Sequence, residues 1–192
     1  MNTARPAIPE ADLLAIADRV EVVAGKVVPM SPVGGLHQIV SGNVYDILRA
    51  FAVRHKLGWV VSDGLLFLLE RDSVGVRGAR VPDVAYIRRE RIPKDWDLQK
   101  PFPSAPDLAV EVMSPSDTAG EVMERVQDYL RANTQEVWVL YPNTRQLLRH
   151  MQGEAVVYRY EAGDSFTSPL FAGLTLDIDS FFNVPDWLFE AD

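Results

Sequence analysis

The run Leu108-Ala109-Val110-Glu111-Val112-Met113 is apolar at every position but Glu111, which is the pattern of a central strand in a sheet covered on both faces. Ser114-Pro115-Ser116 ends it. Thr118-x-x-Glu121 then reads as a capping box that opens a helix, with Val122, Val126, Tyr129 and Leu130 marking its inner face. Val137 to Tyr141 is the next buried strand. Residues 107 to 141 therefore form a strand–helix–strand unit, which should be parallel and right-handed.

The rest of the chain reads as hairpins and flanking helices around that unit. Residues 10 to 18 make a short helix, and 21–23 with 27–28 a hairpin across Ala24-Gly25-Lys26. After the loop Met30-Ser31-Pro32-Val33-Gly34-Gly35, the apolar positions Leu36, Val40, Val44, Ile47, Leu48 and Phe51 predict a long helix to about Lys56, stopped by Gly58. Strands follow over 59–62 and 65–69, then a Gly- and Arg-containing turn from Arg71 to Arg80, and a strand over 81–87 with Pro82 at its start. Residues 88 to 106 form a Pro-rich surface loop. A hairpin crosses Gly153, and 178–182 is a short terminal helix. The expected fold class is α/β: a mixed sheet with antiparallel hairpins, one helical crossover and flanking helices. At 192 residues this fits one domain with a single sizeable core.

Composition narrows the chemistry. The chain has no cysteine, which excludes a disulfide framework, a thiol nucleophile and thiolate metal sites. Its start lacks a signal-peptide profile and no apolar run reaches membrane-spanning length, so a soluble, cytoplasmic protein is expected, with no membrane partner. The net charge of −8 speaks at first against a nucleic-acid partner. Residues 151 to 192, however, hold eight acids and one base, leaving 18 bases against 19 acids before them. Residues 71 to 94 carry seven bases and three acids. That stretch is either a solvated hairpin with charged edges or an anion-facing surface.

Two carboxylates break their local pattern. Asp83 lies within 81–87, where strand propensity disfavours it, and Glu111 interrupts the apolar run. A buried carboxylate is costly unless paired or bound to a cation. Two of them on neighbouring strands suit a hard cation such as Mg²⁺ or Mn²⁺. Alternatively, each pairs with an arginine or points to solvent at a strand end.

Pro82-Asp83, then Val110-Glu111-Val112 entering Ser114-Pro115-Ser116, then a helix ending in Tyr129-Leu130, resembles the PD-(D/E)XK nuclease pattern. More narrowly it resembles the restriction-endonuclease-like family expanded in cyanobacteria, over about residues 10 to 182. The stretch from Ala105 to Thr118 is its most specific part; Glu21, Gly25, Met30-Ser31-Pro32, His37, Ser62-Asp63, Arg89-Glu90-Arg91 and the strand Val137-Trp138-Val139-Leu140 before Pro142 fit as well. The resemblance implies metal-dependent hydrolysis of DNA phosphodiesters, with Asp83, Glu111 and the Val112 carbonyl holding Mg²⁺ or Mn²⁺.

In the general pattern a lysine stands two residues after the glutamate, where this chain has Met113. In the family it lies on the next helix, and the matching residue here is Arg125, four before Tyr129. Arginine keeps the positive charge, but its pKa is too high for proton transfer. Arg125 therefore either serves the cleft or makes a helix salt bridge with Glu121. Glu21 either joins the acidic cluster or is an exposed strand residue. His37 either contacts the scissile phosphate or a water on the metal, or caps its helix. Asp63 reads as a turn residue, Asp107 as exposed, and Trp96 as a base-stacking or loop-anchoring ring. His55 and His150 have no supporting context. Phe181, Phe182, Trp187 and Phe189 are read as exposed aromatics that form a homodimer interface or a terminal cap.

Two functions follow as expectations. One is a Mg²⁺- or Mn²⁺-dependent DNA endonuclease, with DNA binding that is weak and salt-sensitive in the isolated protein and depends on the arginines between Arg77 and Arg91. The other is a catalytically weak or inactive nuclease-fold protein acting as a binding or assembly module.

Overall fold

The computed structural model describes residues 6–16 and 18–188. In chain order the first half holds α1 (Glu10–Leu14), β1 (Val20–Val23), β2 (Lys26–Pro29), α2 (Gly35–His55), β3 (Gly58–Ser62), β4 (Phe67–Arg71), β5 (Val76–Arg80) and β6 (Val84–Arg88). The second holds β7 (Leu108–Val112), α3 (Ala119–Arg131), β8 (Glu136–Tyr141), β9 (Gln146–Met151) and β10 (Val157–Tyr160). It closes with β11 (Ser165–Thr167), β12 (Thr175–Asp177) and α4 (Ile178–Phe181).

Six strands form the main sheet in the order β10-β9-β8-β7-β6-β3. Only β7 and β8 pair in parallel, and α3 makes the crossover between them. The sheet is covered on both faces, as the apolar run from Leu108 required. Its period-two alternation sends Leu108, Val110 and Val112 into the core shared with α2, α4 and the β11–β12 ribbon. Ala109 and the neighbouring Val137 and Val139 pack instead against Val122, Val126 and Tyr129 of α3. At the start of α3, Thr118 accepts from the Glu121 amide and Glu121 from the Thr118 amide, at 3.3 and 3.0 Å. A cap of this kind stabilises a helix by about 1 kcal/mol.

A second sheet, β2-β1-β5-β4, stands beside the first. Here the turn predicted from Arg71 to Arg80 is too long: only residues 72 to 75 turn, with Asp72 accepting from the Val74 and Gly75 amides, and Val76–Arg80 is a strand. Its sequence VRGAR is weakly β-forming. It is held in place because Val76 and Ala79 bury against Leu13, Val20 and Val22. Gly58 does not stop α2 either. Lys56 does so in the left-handed conformation (φ 56°), and Gly58 opens β3 where a Cβ would lie 2.1 Å from the Ile87 carbonyl. Strand β6 begins at Val84 rather than Val81.

Asp107, expected to be exposed, is fully buried. Its Oδ2 accepts from the Arg88 amide at 2.8 Å, and its Oδ1 from Arg88 Nε at 2.8 Å beside Arg91 Nη1 at 3.1 Å. It thereby ties the 89–106 excursion to the sheet. That excursion is less of a surface loop than its prolines suggest, since Phe102 is buried and exchanges backbone hydrogen bonds with Leu66 and Leu68. Trp96 anchors it, donating to the Pro101 carbonyl at 3.0 Å and packing on Trp59 and Phe102.

The basic stretch is largely neutralised. Arg77 pairs with Asp72, Arg80 with Glu21 and Asp128, Arg88 and Arg91 with Asp107, and Arg71 with Glu10. Phe181 and Phe182 are core residues, contrary to their reading as exposed aromatics, because α4 packs onto α2. Trp187 is exposed, and Phe189 lies outside the described residues. Among the described residues no helix is long and apolar enough to cross a membrane.

Candidate active site

Strands β6 and β7 run antiparallel with Val84 opposite Val110, so Asp83, just before β6, lies beside Glu111 near the end of β7. The Asp83 amide donates to the Val110 carbonyl at 3.0 Å. Asp83 Oδ2 accepts twice, from the Val112 amide at 2.7 Å and from His37 Nε2 at 3.1 Å. Its Oδ1 has no hydrogen-bond partner among the described residues. From the other face, the Tyr129 hydroxyl donates to Glu111 Oε1 at 2.8 Å. Glu111 Oε2 lies 3.8 Å from Arg125 Nη1. The two carboxylates are thus gripped from opposite sides of the sheet, by the start of α2 and by α3, around a cavity of about 410 Å³.

Glu21 reaches the same cavity from β1 and is buried rather than exposed. Both its oxygens are engaged: Oε1 accepts from the Val81 amide at 3.0 Å and Oε2 from Arg80 Nη1 at 2.7 Å. Arg80 also donates from Nε and Nη2 to Asp128 Oδ2, at 3.0 and 2.6 Å. This triad joins the second sheet to α3. Glu21 consequently fixes the segment that carries Asp83, two residues beyond Val81.

Arg125 does not make the alternative bridge to Glu121, which is occupied in the capping box. Its Nη1 donates instead to Asp117 Oδ1 at 3.1 Å. Asp117 also accepts from the Ser114 amide and hydroxyl, at 2.7 and 2.9 Å. Asp117 and Tyr129 belong to the site, although the sequence reading gave neither a role. The legible signals were Asp117 lying within the most specific stretch of the resemblance and Tyr129 standing in the motif and on the inner face of its helix. Nothing in the weakly β-forming VRGAR pointed to Arg80.

The electrostatics single out Glu111. Burial, then the Asp83 charge, push its carboxyl well above the usual carboxylate value, and Arg125 and the Tyr129 hydroxyl only partly oppose this. Asp117 is lowered: burial acts against it, but the Ser114 donors and Arg125 outweigh burial. For Arg125, burial is outweighed by Glu111 and Asp117, so its pKa rises further. Burial would lower His37, yet its hydrogen bond to Asp83 and the acids around it raise it. His37 Nδ1 is buried without a partner.

A divalent cation fits this arrangement. Buried Glu111 and half-buried Asp83 repel each other, one oxygen of Asp83 is unengaged, and all the anionic donors are hard oxygens. Among the described residues no three His, Asp or Glu side chains gather as a complete ligand set. A cation held by Asp83 and Glu111 would take its remaining ligands from the backbone, water or a substrate phosphate, the usual habit of Mg²⁺.

Of the other candidates, Asp63 pairs with Arg19 in the turn after β3. His55 packs on Phe51 at the end of α2, and His150 is buried in β9. None reaches the cavity.

The family described as "Uma2: Putative restriction endonuclease" matches residues 11–179. The chain belongs to this family. A crystal structure described as a putative nuclease belonging to DUF820, from Anabaena variabilis ATCC 29413, shares the fold with a TM-score of 0.77. It is 18% identical, and the match covers 91% of this chain and 97% of that one. No curated protein matches the sequence. The restriction-endonuclease-like fold expected from the sequence is therefore present, and Asp83, Glu111, His37, Arg125 and Glu21 meet in one cavity of it.

Proposed function

We propose that this Uma2 family member is a Mg²⁺- or Mn²⁺-dependent DNA endonuclease, with Asp83 and Glu111 as cation ligands and the Val112 carbonyl as a further one. The observation that carries this reading is buried Glu111 beside half-buried Asp83: burial, then the Asp83 charge, raise the Glu111 pKa, and Arg125 and the Tyr129 hydroxyl oppose this only in part. A cation bound there supplies Lewis-acid charge to the phosphate and its attacking water. His37 and the Val112 amide hold Asp83 by Oδ2 and leave Oδ1 for the cation. Tyr129 orients Glu111. Arg125, steered by Asp117, offers fixed positive charge to a phosphate in the cavity.

Supercoiled and linear DNA incubated with Mg²⁺ or Mn²⁺ should be nicked or cut, and Mn²⁺ should raise the melting temperature of the protein. Asp83→Asn should lose both effects. Equal cutting by that variant, or no Mn²⁺ stabilisation of the native protein, overturns the reading.

A second reading, a catalytically weak binding or assembly module, is favoured by Arg125. Its raised pKa forbids proton transfer, and the Asp117 bond limits how it can approach a water. Arg125→Lys distinguishes the two. A rise in cleavage of about 100-fold or more, the lower end of acid–base contributions, identifies a native chain limited at this step. Unchanged or reduced cleavage leaves Arg125 as a competent phosphate clamp.

A further inference from the structure

The cavity around Asp83 and Glu111 has two unlike walls. One is charged and comes from α3 and the turn before it. The other is apolar: Val23, Val28, Pro29, Met30, Pro32 and Val33, from the β1–β2 hairpin and the segment after it. The register explains the second wall. Glu21 stands opposite Val28 and Val23 opposite Lys26, so these four share one face of the hairpin, and Glu21, Val23 and Val28 of them line the cavity, while Val20 and Val22 turn into the core. Val28 and Val33 remain 40% and 41% exposed. Exposed β-branched and apolar residues on an edge strand are a liability that a fold normally blunts. Here they continue directly from the carboxylate pair. At the hairpin end, ~7 Å along β1 from Glu21, Lys26 is exposed and has no ion pair among the described residues.

Duplex binding rests on rows of free Lys and Arg that neutralise two phosphate backbones. Of the arginines that the sequence offered for this task, Arg77, Arg80, Arg88 and Arg91 are paired with carboxylates, and the exposed Arg89 lies outside the cavity. The charged rim itself carries Glu121 and Glu124. The cavity presents an apolar wall and Arg125, and Lys26 stands beyond it at the hairpin end.

These features suit a strand whose bases are already unstacked, since base faces pack on apolar side chains and an unpaired strand needs no melting. We infer that the site acts on unpaired DNA: the Val28–Pro29 face with Met30 and Val33 receives the base flanking the scissile phosphate, and Lys26 takes the neighbouring phosphate. The inference rests on the nuclease reading and names its substrate class.

The test compares one labelled oligonucleotide, single-stranded and as a perfectly paired duplex, incubated with the full chain and Mn²⁺. The single strand is expected to be cut about 10-fold faster or more, the minimum that avoided unpairing would contribute. Val28→Asp and Lys26→Gln should each raise KM for the single strand by about 5-fold or more. Lys26→Gln should also reduce the slope of log affinity against log salt by about 0.7. Arg54→Gln, the same charge change on the exposed side of α2, should alter neither; melting curves check that every variant folds. Duplex cut as fast as single strand, or Val28 and Lys26 variants that match the native protein, overturns the strand assignment and leaves the nuclease reading intact. No cutting of either substrate, with Mn²⁺ stabilisation retained, overturns the nuclease reading and this inference with it.

Discussion

Glu111→Gln is expected to lower cation-dependent cleavage by on the order of 10³-fold and, in EDTA, to raise the melting temperature by about 3–6 °C. The two effects have one cause. Ionised Glu111 is buried beside Asp83 and is destabilised by both burial and like charge. Glutamine keeps an oxygen for the Tyr129 hydroxyl and removes the charge, which relieves the metal-free protein and leaves a cation without its second carboxylate. The pH dependence has a definite sign. Because the Glu111 pKa is raised on folding from about 4.5, its contribution is most favourable below that value and is lost as pH rises through the folded pKa. His37, raised from 6.5, acts in the same direction. Metal-free native protein should therefore lose stability from mildly acidic to alkaline pH, and Glu111→Gln should flatten that loss. Calorimetry across pH, with EDTA and with Mn²⁺, reads both effects. A variant less stable than the native protein in EDTA would mean that Glu111 is held as a structural ion pair with Arg125.

Arg80→Met is expected to cost about 3–5 kcal/mol, as does removing one member of a buried ionic cluster. For a chain of this size that corresponds to roughly 6–20 °C in Tm. Arg80 is 4% exposed and makes three hydrogen bonds to two carboxylates. Its loss leaves Glu21 buried without its partner and detaches β5 from α3. Pairing the change with Glu21→Gln should return part of the stability, because the stranded charge is removed as well. In denaturant melts the double variant should lie above the sum of the singles. A cost below about 1 kcal/mol would place the triad with ordinary surface ion pairs. Activity should fall with Arg80→Met even where the protein remains folded, since Glu21 holds Val81 and, through it, the segment carrying Asp83.

The parts of the fold that were legible in the sequence are those with strong local patterns. The β7–α3–β8 crossover follows from an apolar run, a capping box and a second apolar run, and the helix over 35–55 follows from its periodicity. The misread parts are those decided by contacts far along the chain. Strand β5 looked like a turn because VRGAR has little strand propensity, and it is a strand because β1 and β4 flank it. Asp107 looked exposed because it is polar and opens a strand, and it is buried because Arg88 and Arg91 fold back onto it. Phe181 and Phe182 looked exposed because a short terminal helix is usually peripheral, and they are core because α2 covers them.

The site divides in the same way. Asp83 and Glu111 could be read as misfits in apolar strands, since an ionisable group in such a run is costly wherever it ends up. The sequence by itself determined that two carboxylates would stand on or beside apolar strands of a sheet with a helical crossover, and which family that order of residues resembles. Only the tertiary structure decided what each charge faces. Arg125 meets Asp117 rather than Glu121, His37 and Val112 share one oxygen of Asp83, and Arg77, Arg80, Arg88 and Arg91, read from the sequence as facing DNA, are spent on Asp72, Asp107, Asp128 and Glu21. Burial is written locally, in which residues are apolar. Electrostatic partnership depends on distances of a few ångströms between elements up to about a hundred residues apart, and those distances exist only once the sheets and helices have packed.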